Sequence, residues 1–149
     1  MSQFEPRNPE FRSRLRTYVS AQGYLSLLGV ELLGVEPGFA EYRVPFRQDI
    51  CQQDGFFHGG VIGGVAEGVM GAAAATLVVA GANVMGAEYK VNFVAPGRGA
   101  ALIARGTVVK SGRRLIVCRA DVVAAADDGS ETLCAIAQGA MAVVEPRVP

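Results

Sequence analysis

The sequence carries no surplus of charge of either sign: Lys plus Arg and Asp plus Glu number 14 each, for a formal charge of +0. No global field therefore draws the chain to nucleic acid or to an anionic membrane, and any anionic ligand has to be met by a local patch. Histidine is nearly missing as well. One histidine, His58, and three scattered cysteines, Cys51, Cys118 and Cys134, without C-x-x-C spacing, provide no cluster with the spacing of a zinc site, so no metal is expected. An odd number of thiols in apolar or strand-like surroundings fits a reduced, cytoplasmic setting better than a disulfide framework. The opening residues pass from Met1 through Phe4 into Glu5, Pro6 and Arg7 with no apolar stretch between them, which excludes a secretory leader from the expectation. Charged residues are few altogether, at 19% against 50% apolar ones. That balance argues against disorder and for a compact body or a large buried interface. The length, 149 residues, suits one domain over residues 1–149.

From Asn8 to about Gly23, Phe11, Leu15, Tyr18 and Val19 alternate with Arg12, Arg14 and Arg16 at a spacing near the helical period, which predicts a surface helix as an N-terminal extension. Two strand-like runs, about Val30 to Val35 and Phe39 to Phe46, are joined by Glu36-Pro37-Gly38 and read as a hairpin. A polar loop from Arg47 to Phe57 leads into a small, apolar run from Gly59 to about Ala80, whose composition suits a helix enclosed on nearly every side. Its length approaches a membrane span. Glu67 near its middle would be costly in lipid, and the amphipathic strands elsewhere need a helix to cover them.

Four further strands are predicted. In Ala87-Glu88-Tyr89-Lys90-Val91-Asn92-Phe93 the odd positions are apolar and the even ones polar, so one face is expected to be buried. The others run about Ala100 to Lys110, Arg113 to Ala125 and Glu131 to Val144, with turns at Pro96-Gly97-Arg98-Gly99, Ser111-Gly112 and Asp127-Asp128-Gly129, which reads as one antiparallel meander of four strands. The compact solution is α+β: a curved antiparallel sheet wrapped around the apolar helix, whose glycines would let the sheet approach closely.

Two features on that helix bear chemistry. Phe56-Phe57-His58-Gly59-Gly60 sits where the loop becomes helix, and a helix N-terminus offers unpaired N–H groups and a partial positive charge to a carbonyl oxygen that turns into an oxyanion. A tight turn with a capping histidine is the alternative reading of the same residues. Glu67 lies nine positions after His58 and is the only charge between His58 and Glu88. A carboxylate in such company is paired, protonated or facing a cleft; unpaired burial raises its pKa toward that of a working base, and a salt bridge to a strand arginine is the alternative.

His58-Gly59-Gly60 with Glu67 nine positions on, Tyr89-Lys90-Val91-Asn92-Phe93-Val94-Ala95-Pro96 and Lys110-Ser111-Gly112-Arg113-Arg114 together resemble the hot-dog-fold acyl-CoA thioesterases of the phenylacetate-degradation, PaaI-like type, over roughly residues 24 to 144. The resemblance implies a curled sheet around a central helix, dimerised edge to edge, and hydrolysis of a thioester to a carboxylic acid and free coenzyme A. It points to the Gly59 N–H as the group that polarises the carbonyl. Glu67 would act as nucleophile or general base and would come from the neighbouring subunit. Gln52, six positions before the histidine as in the hydroxybenzoyl-CoA thioesterase branch, would orient the substrate carbonyl or His58. By the same resemblance, Gly71 stands where many members of that family carry Ser or Thr one turn after the acid, and Gly86 where some carry a serine.

Lys110, Arg113 and Arg114 flank a turn and suit coenzyme A phosphates, or form a solvated hairpin tip. Gly60 adjoins the carbonyl site, and Phe57, Met70, Phe56 and Tyr24 are candidates for an acyl pocket or plain core. No cofactor is expected beyond coenzyme A as part of the substrate. The expected partners are an acyl-CoA and further copies of the chain, as a homodimer or a dimer of dimers. An acyl-CoA-binding module without turnover is the rival reading, which fold alone does not exclude.

Overall fold

The computed structural model of the chain describes residues 4–145. The N-terminal helix, α1 (Phe11–Ala21), buries Phe11, Leu15 and Val19, a stripe at i, i+4 and i+8 that fits one helix face. It is shorter than the periodicity predicts. Gln22 is extended (ψ 112) and a separate short helix, α2 (Gly23–Leu28), follows, closed by Gly29 in the left-handed region at φ 70, where glycine carries no Cβ penalty.

Strands β1 (Glu31–Glu36) and β2 (Phe39–Pro45) form the expected hairpin. The central helix, α3, spans Gly59–Ala75. It stops short of Ala80 because Thr76 turns inward: its hydroxyl donates to the Ala73 carbonyl at 2.6 Å and accepts the Gly38 N–H at 2.7 Å, binding the helix end to the hairpin. No helix among the described residues is long and apolar enough to cross a membrane.

The remaining strands are β3 (Asn83–Phe93), β4 (Ala101–Ser111), β5 (Leu115–Ala125) and β6 (Glu131–Val144). All six strands form one antiparallel sheet in the order β1-β2-β4-β5-β6-β3. The meander therefore covers β4 to β6 only. Strand β3, expected beside β4, instead lies at the far edge and pairs with β6 alone. Its connection to β4 crosses the sheet beneath the start of α3, where the Phe57 N–H donates to the Gly97 carbonyl at 2.8 Å and a Cβ on Gly97 would stand 3.0 Å from Ile62.

The close approach of helix and sheet also has a different source from the expected one. A Cβ on Gly106 of β4 would stand 2.5 Å from the Val69 carbonyl oxygen, so the sheet's glycine admits the helix backbone. The helix's own glycines admit side chains: Tyr89 lies against Gly63, Tyr24 against Gly64, and Leu25 with Tyr42 against Gly68. The apolar face of β3 is turned toward α3 yet incompletely covered, with Tyr89 44% and Phe93 55% exposed. An edge strand facing glycines has too little side-chain bulk opposite it to be buried within one chain.

Candidate active site

The turn into α3 is built around His58. It has extended backbone (φ −63, ψ 139) as N-cap, its Nδ1 accepts the Gly60 N–H at 2.9 Å, and its own N–H donates to the Ile50 carbonyl at 3.1 Å. The His58 carbonyl accepts the N–H groups of Val61 at 2.9 Å and Ile62 at 3.1 Å. These bonds occupy the first turn except at one place: the Gly59 N–H has no hydrogen-bond partner among the described residues. An uncommitted donor at the positive end of a seventeen-residue helix is suited to an oxygen that gains negative charge. The Phe93 ring packs on the Cα side of this residue, 3.3 Å from where a Gly59 Cβ would stand.

Glu67 stands on the same helix. Gly60, Gly64, Glu67 and Gly71 recur at i, i+4, i+7 and i+11, so one face of α3 carries a single side chain among glycines. The carboxylate is half-buried, and burial holds its pKa above the ordinary carboxylate range. It enters no salt bridge or hydrogen bond among the described residues, because the strand arginines have other partners: Arg43 pairs with Glu31, Arg105 with Glu41 and Glu131, and Arg119 with Asp121. Among the described residues the salt-bridge alternative is not met. Glu67 opens into a cleft of about 660 Å³ that it shares with Tyr24, Gly60, Gly64, Gly86, Ala87 and Tyr89. The cleft's other wall is irregular, since the β3–β6 register shifts between Gly86 and Glu88. A bulge there re-aims the strand beside the carboxylate.

All four tyrosines of the chain gather round this group. Tyr24 and Tyr89 line its cleft, and Tyr18, Tyr24 and Tyr42 are held above the ordinary phenol range by burial first, with the Glu67 charge contributing. The Tyr42 hydroxyl is buried without a partner among the described residues. Sequence reasoning did not bring these residues together. They come from α1, α2, β2 and β3, and the only signal was the row of glycines on α3 that leaves space for rings.

Other candidates are placed elsewhere. The Gln52 side chain accepts the Asp54 N–H within its own loop and is not among the lining of the Glu67 cleft. Phe57 and Met70 are 3% and 0% exposed, so both are core and neither offers surface to a ligand in the single chain. Lys110, Arg113 and Arg114 are exposed, and Arg113 shares a groove with Leu77, Val78 and Val79, just past the C-terminal end of α3. The length of α3, about 25 Å at 1.5 Å per residue, separates them from His58 in the same chain. Cys118, in the core, is pushed up to about 12 by burial, and burial raises Cys134 and Cys51 as well, which leaves none of them a ready nucleophile. The described residues contain no group of His, Cys, Asp and Glu arranged to hold a metal ion.

The family model of the thioesterase superfamily matches residues 54–130, a stretch that holds the His58 turn, Glu67 and the bulge at Gly86. The chain belongs to the thioesterase superfamily. Hydrolysis of a thioester is accordingly the class of reaction of this thioesterase. Among solved structures, it is similar to a thioesterase family protein from Silicibacter pomeroyi, with 31% identity, a TM-score of 0.88, and 91% of this chain and 98% of that one covered. A thioesterase from Haemophilus influenzae shares its fold at 24% identity and a TM-score of 0.78, over 90% and 92% of the two chains. So does the Escherichia coli PaaI protein of the phenylacetic acid degradation operon, at 15% identity and a TM-score of 0.80, over 94% and 97%. The α+β architecture of this thioesterase is thus the hot-dog fold.

Proposed function

We propose that the chain is an acyl-CoA thioesterase, releasing a carboxylic acid and free coenzyme A, with Glu67 as its working carboxylate and the Gly59 N–H as the donor to the thioester carbonyl. One observation carries the proposal: a half-buried, unpaired carboxylate stands on a glycine-lined face of a helix whose first N–H is uncommitted. The carbonyl oxygen accepts from Gly59, with Gly60 beside it, and the helix end stabilises the negative charge as the carbon becomes tetrahedral. One such donor contributes about 10² to 10³ in rate. Glu67 takes a proton from water, whose oxygen bonds to the carbon, or attacks the carbon itself to form an anhydride that water then hydrolyses; in either case the C–S bond breaks and the coenzyme A thiolate leaves and takes up a proton. His58 organises the turn through its bond to Gly60, and Gln52, released from its loop, orients the substrate carbonyl. Every role falls to a backbone or side-chain group, and coenzyme A enters as part of the substrate.

The working site is proposed to form between two copies of the chain. Gly59 and Glu67 are eight residues apart, about 12 Å along the helix, and a side chain leaning back one turn recovers about 5.4 Å of that. The remainder is about twice an attack distance of about 3–3.5 Å, so Glu67 of one copy serves Gly59 of another. Strand β3 supports this geometry, because its outer edge is unpaired over eleven residues and its exposed Met85, Tyr89 and Phe93 await a cover. Paired dimers would form a tetramer, and Lys110, Arg113 and Arg114 would then hold coenzyme A phosphates in the site of another copy. The reduced thiols accord with a cytoplasmic setting.

Free-thiol release from a panel of aromatic, short, medium and long acyl-CoAs tests the proposal. Turnover of at least one class with saturation is expected. Tight binding without hydrolysis across the whole panel would replace it with the binding-module reading.

A further inference from the structure

Two glycines flank the acid: Gly71, one turn after Glu67 on α3, and Gly86 on β3. They differ in what surrounds them. A Cβ on Gly86 would stand 2.5 Å from Glu67 Oε1, whereas a Cβ on Gly71 would meet nothing within 4 Å. The space at Gly86 is filled by the carboxylate, whereas Gly71 is buried yet has room for a Cβ.

Tyr24 brings a hydroxyl to the same cleft from α2. A Cβ on Gly64 would overlap its Oη and stand 2.9 Å and 3.0 Å from its Cε1 and Cζ, so the ring tip rests on the helix at Gly64. Gly64 is three residues before Glu67, and a helical side chain leans back over the turn before its own Cα. Phenol and carboxylate therefore open into one cleft. No direct hydrogen bond joins them, and Glu67 keeps its acceptor capacity free for a reacting water. Tyr24 is also half exposed, at 50%, so its place is not that of a core residue held by packing alone.

We propose that Tyr24 is a further catalytic residue, whose hydroxyl holds the water that Glu67 deprotonates. The inference rests on the general-base form of the function proposed above. The water's proton passes to the Glu67 carboxylate, its oxygen bonds to the thioester carbon, and the C–S bond breaks to release the thiol, which takes up a proton. Tyr24 keeps its own proton throughout. Burial, then the neighbouring Tyr89 and Glu67, raise its pKa above the ordinary phenol value, which suits a donor and not an acid. The titratable groups facing Glu67 are Tyr18 from α1, Tyr24 from α2, Tyr42 from β2, and Tyr89 and Glu88 from β3. No cation among them competes for the carboxylate.

The test uses Tyr24→Phe, which keeps the ring, beside wild type, Glu67→Gln and the double variant Tyr24→Phe/Gly71→Ser, all assayed on one acyl-CoA from about pH 5 to 9. Tyr24→Phe is expected to lose about tenfold or more in kcat with KM within about twofold, the mark of an interaction made in the transition state. Gly71→Ser, set one turn after Glu67 where a Cβ meets no neighbour within 4 Å, is expected to restore part of that kcat to the double variant. Wild-type kcat in Tyr24→Phe with Glu67→Gln inactive would overturn the Tyr24 assignment alone. A fall in kcat with no recovery in the double variant, accompanied by a lower melting temperature, would make Tyr24 structural and overturn it too. Full activity in Glu67→Gln would instead remove the functional reading beneath it.

Discussion

Gly86 makes room for the Glu67 carboxylate: a Cβ built on it would stand 2.5 Å from Oε1, at a bulge in the edge strand. The atom in the way is the free end of a flexible side chain, not backbone. Gly86→Ala is therefore expected to leave stability within about 0.5 kcal/mol while displacing the carboxylate and lowering kcat by about tenfold or more, since a misplacement of about 1 Å can cost 10²-fold. Urea denaturation and steady-state kinetics on the same preparation separate the two effects. A variant that loses stability and keeps its kcat would place the contact in the fold and not in the chemistry.

His58 acts on the structure through its cap. Replacing it with Ala leaves the Gly60 N–H without its acceptor, which is expected to cost about 1 kcal/mol. His58→Asn, which can also cap, should recover most of that stability. Equal urea midpoints for His58→Ala and wild type would show that the cap contributes nothing.

Burial of Glu67 has a stability consequence whose sign differs from that of a paired carboxylate. Its pKa is raised above the ordinary 4.5, so the folded chain holds the proton more tightly than the unfolded chain. Stability therefore falls as pH rises from the ordinary value through the raised one, and the full penalty is present above it. Glu67→Gln has no such proton to lose. Its melting temperature is expected to exceed that of wild type at about pH 8, with the gain shrinking toward about pH 4. A difference that is the same at both ends would exclude the burial of charge as its cause.

Gly106 is the least replaceable glycine of the sheet. Its Cβ would stand 2.5 Å from the Val69 carbonyl oxygen and 2.7 Å from the carbonyl carbon, and both belong to the backbone of α3. Gly106→Ala is expected to cost about 1–3 kcal/mol by forcing helix and sheet apart, read as a lower urea midpoint. An unchanged midpoint would mean that the two layers slide without cost.

The parts of the fold readable in the sequence are those fixed by neighbours along the chain. The β1–β2 hairpin and the β4–β5–β6 meander announce themselves by alternation and by turn residues such as Pro37-Gly38 and Asp128-Gly129. The crossing from β3 to β4 does not, because Pro96-Gly97-Arg98-Gly99 has the same turn chemistry whether the next strand pairs beside it or across the sheet. Helix α2 is six residues long, too short to show a period. Glu67 was conspicuous as one charge in a long apolar run. Its tyrosines were not, since four elements from α1 to β3 deliver them, and Tyr24, Tyr42 and Tyr89 meet there by packing against the α3 glycines.

If Glu67 is the working carboxylate, the kcat of Glu67→Gln falls against wild type on whichever acyl-CoA the wild type turns over best. Gln keeps the size and polarity of the side chain and removes its ability to accept a proton or attack. A loss of at least about 10²-fold is expected, the lower end of what a positioned general base contributes, with the protein folded and substrate still bound. Activity within a few-fold of wild type would contradict it.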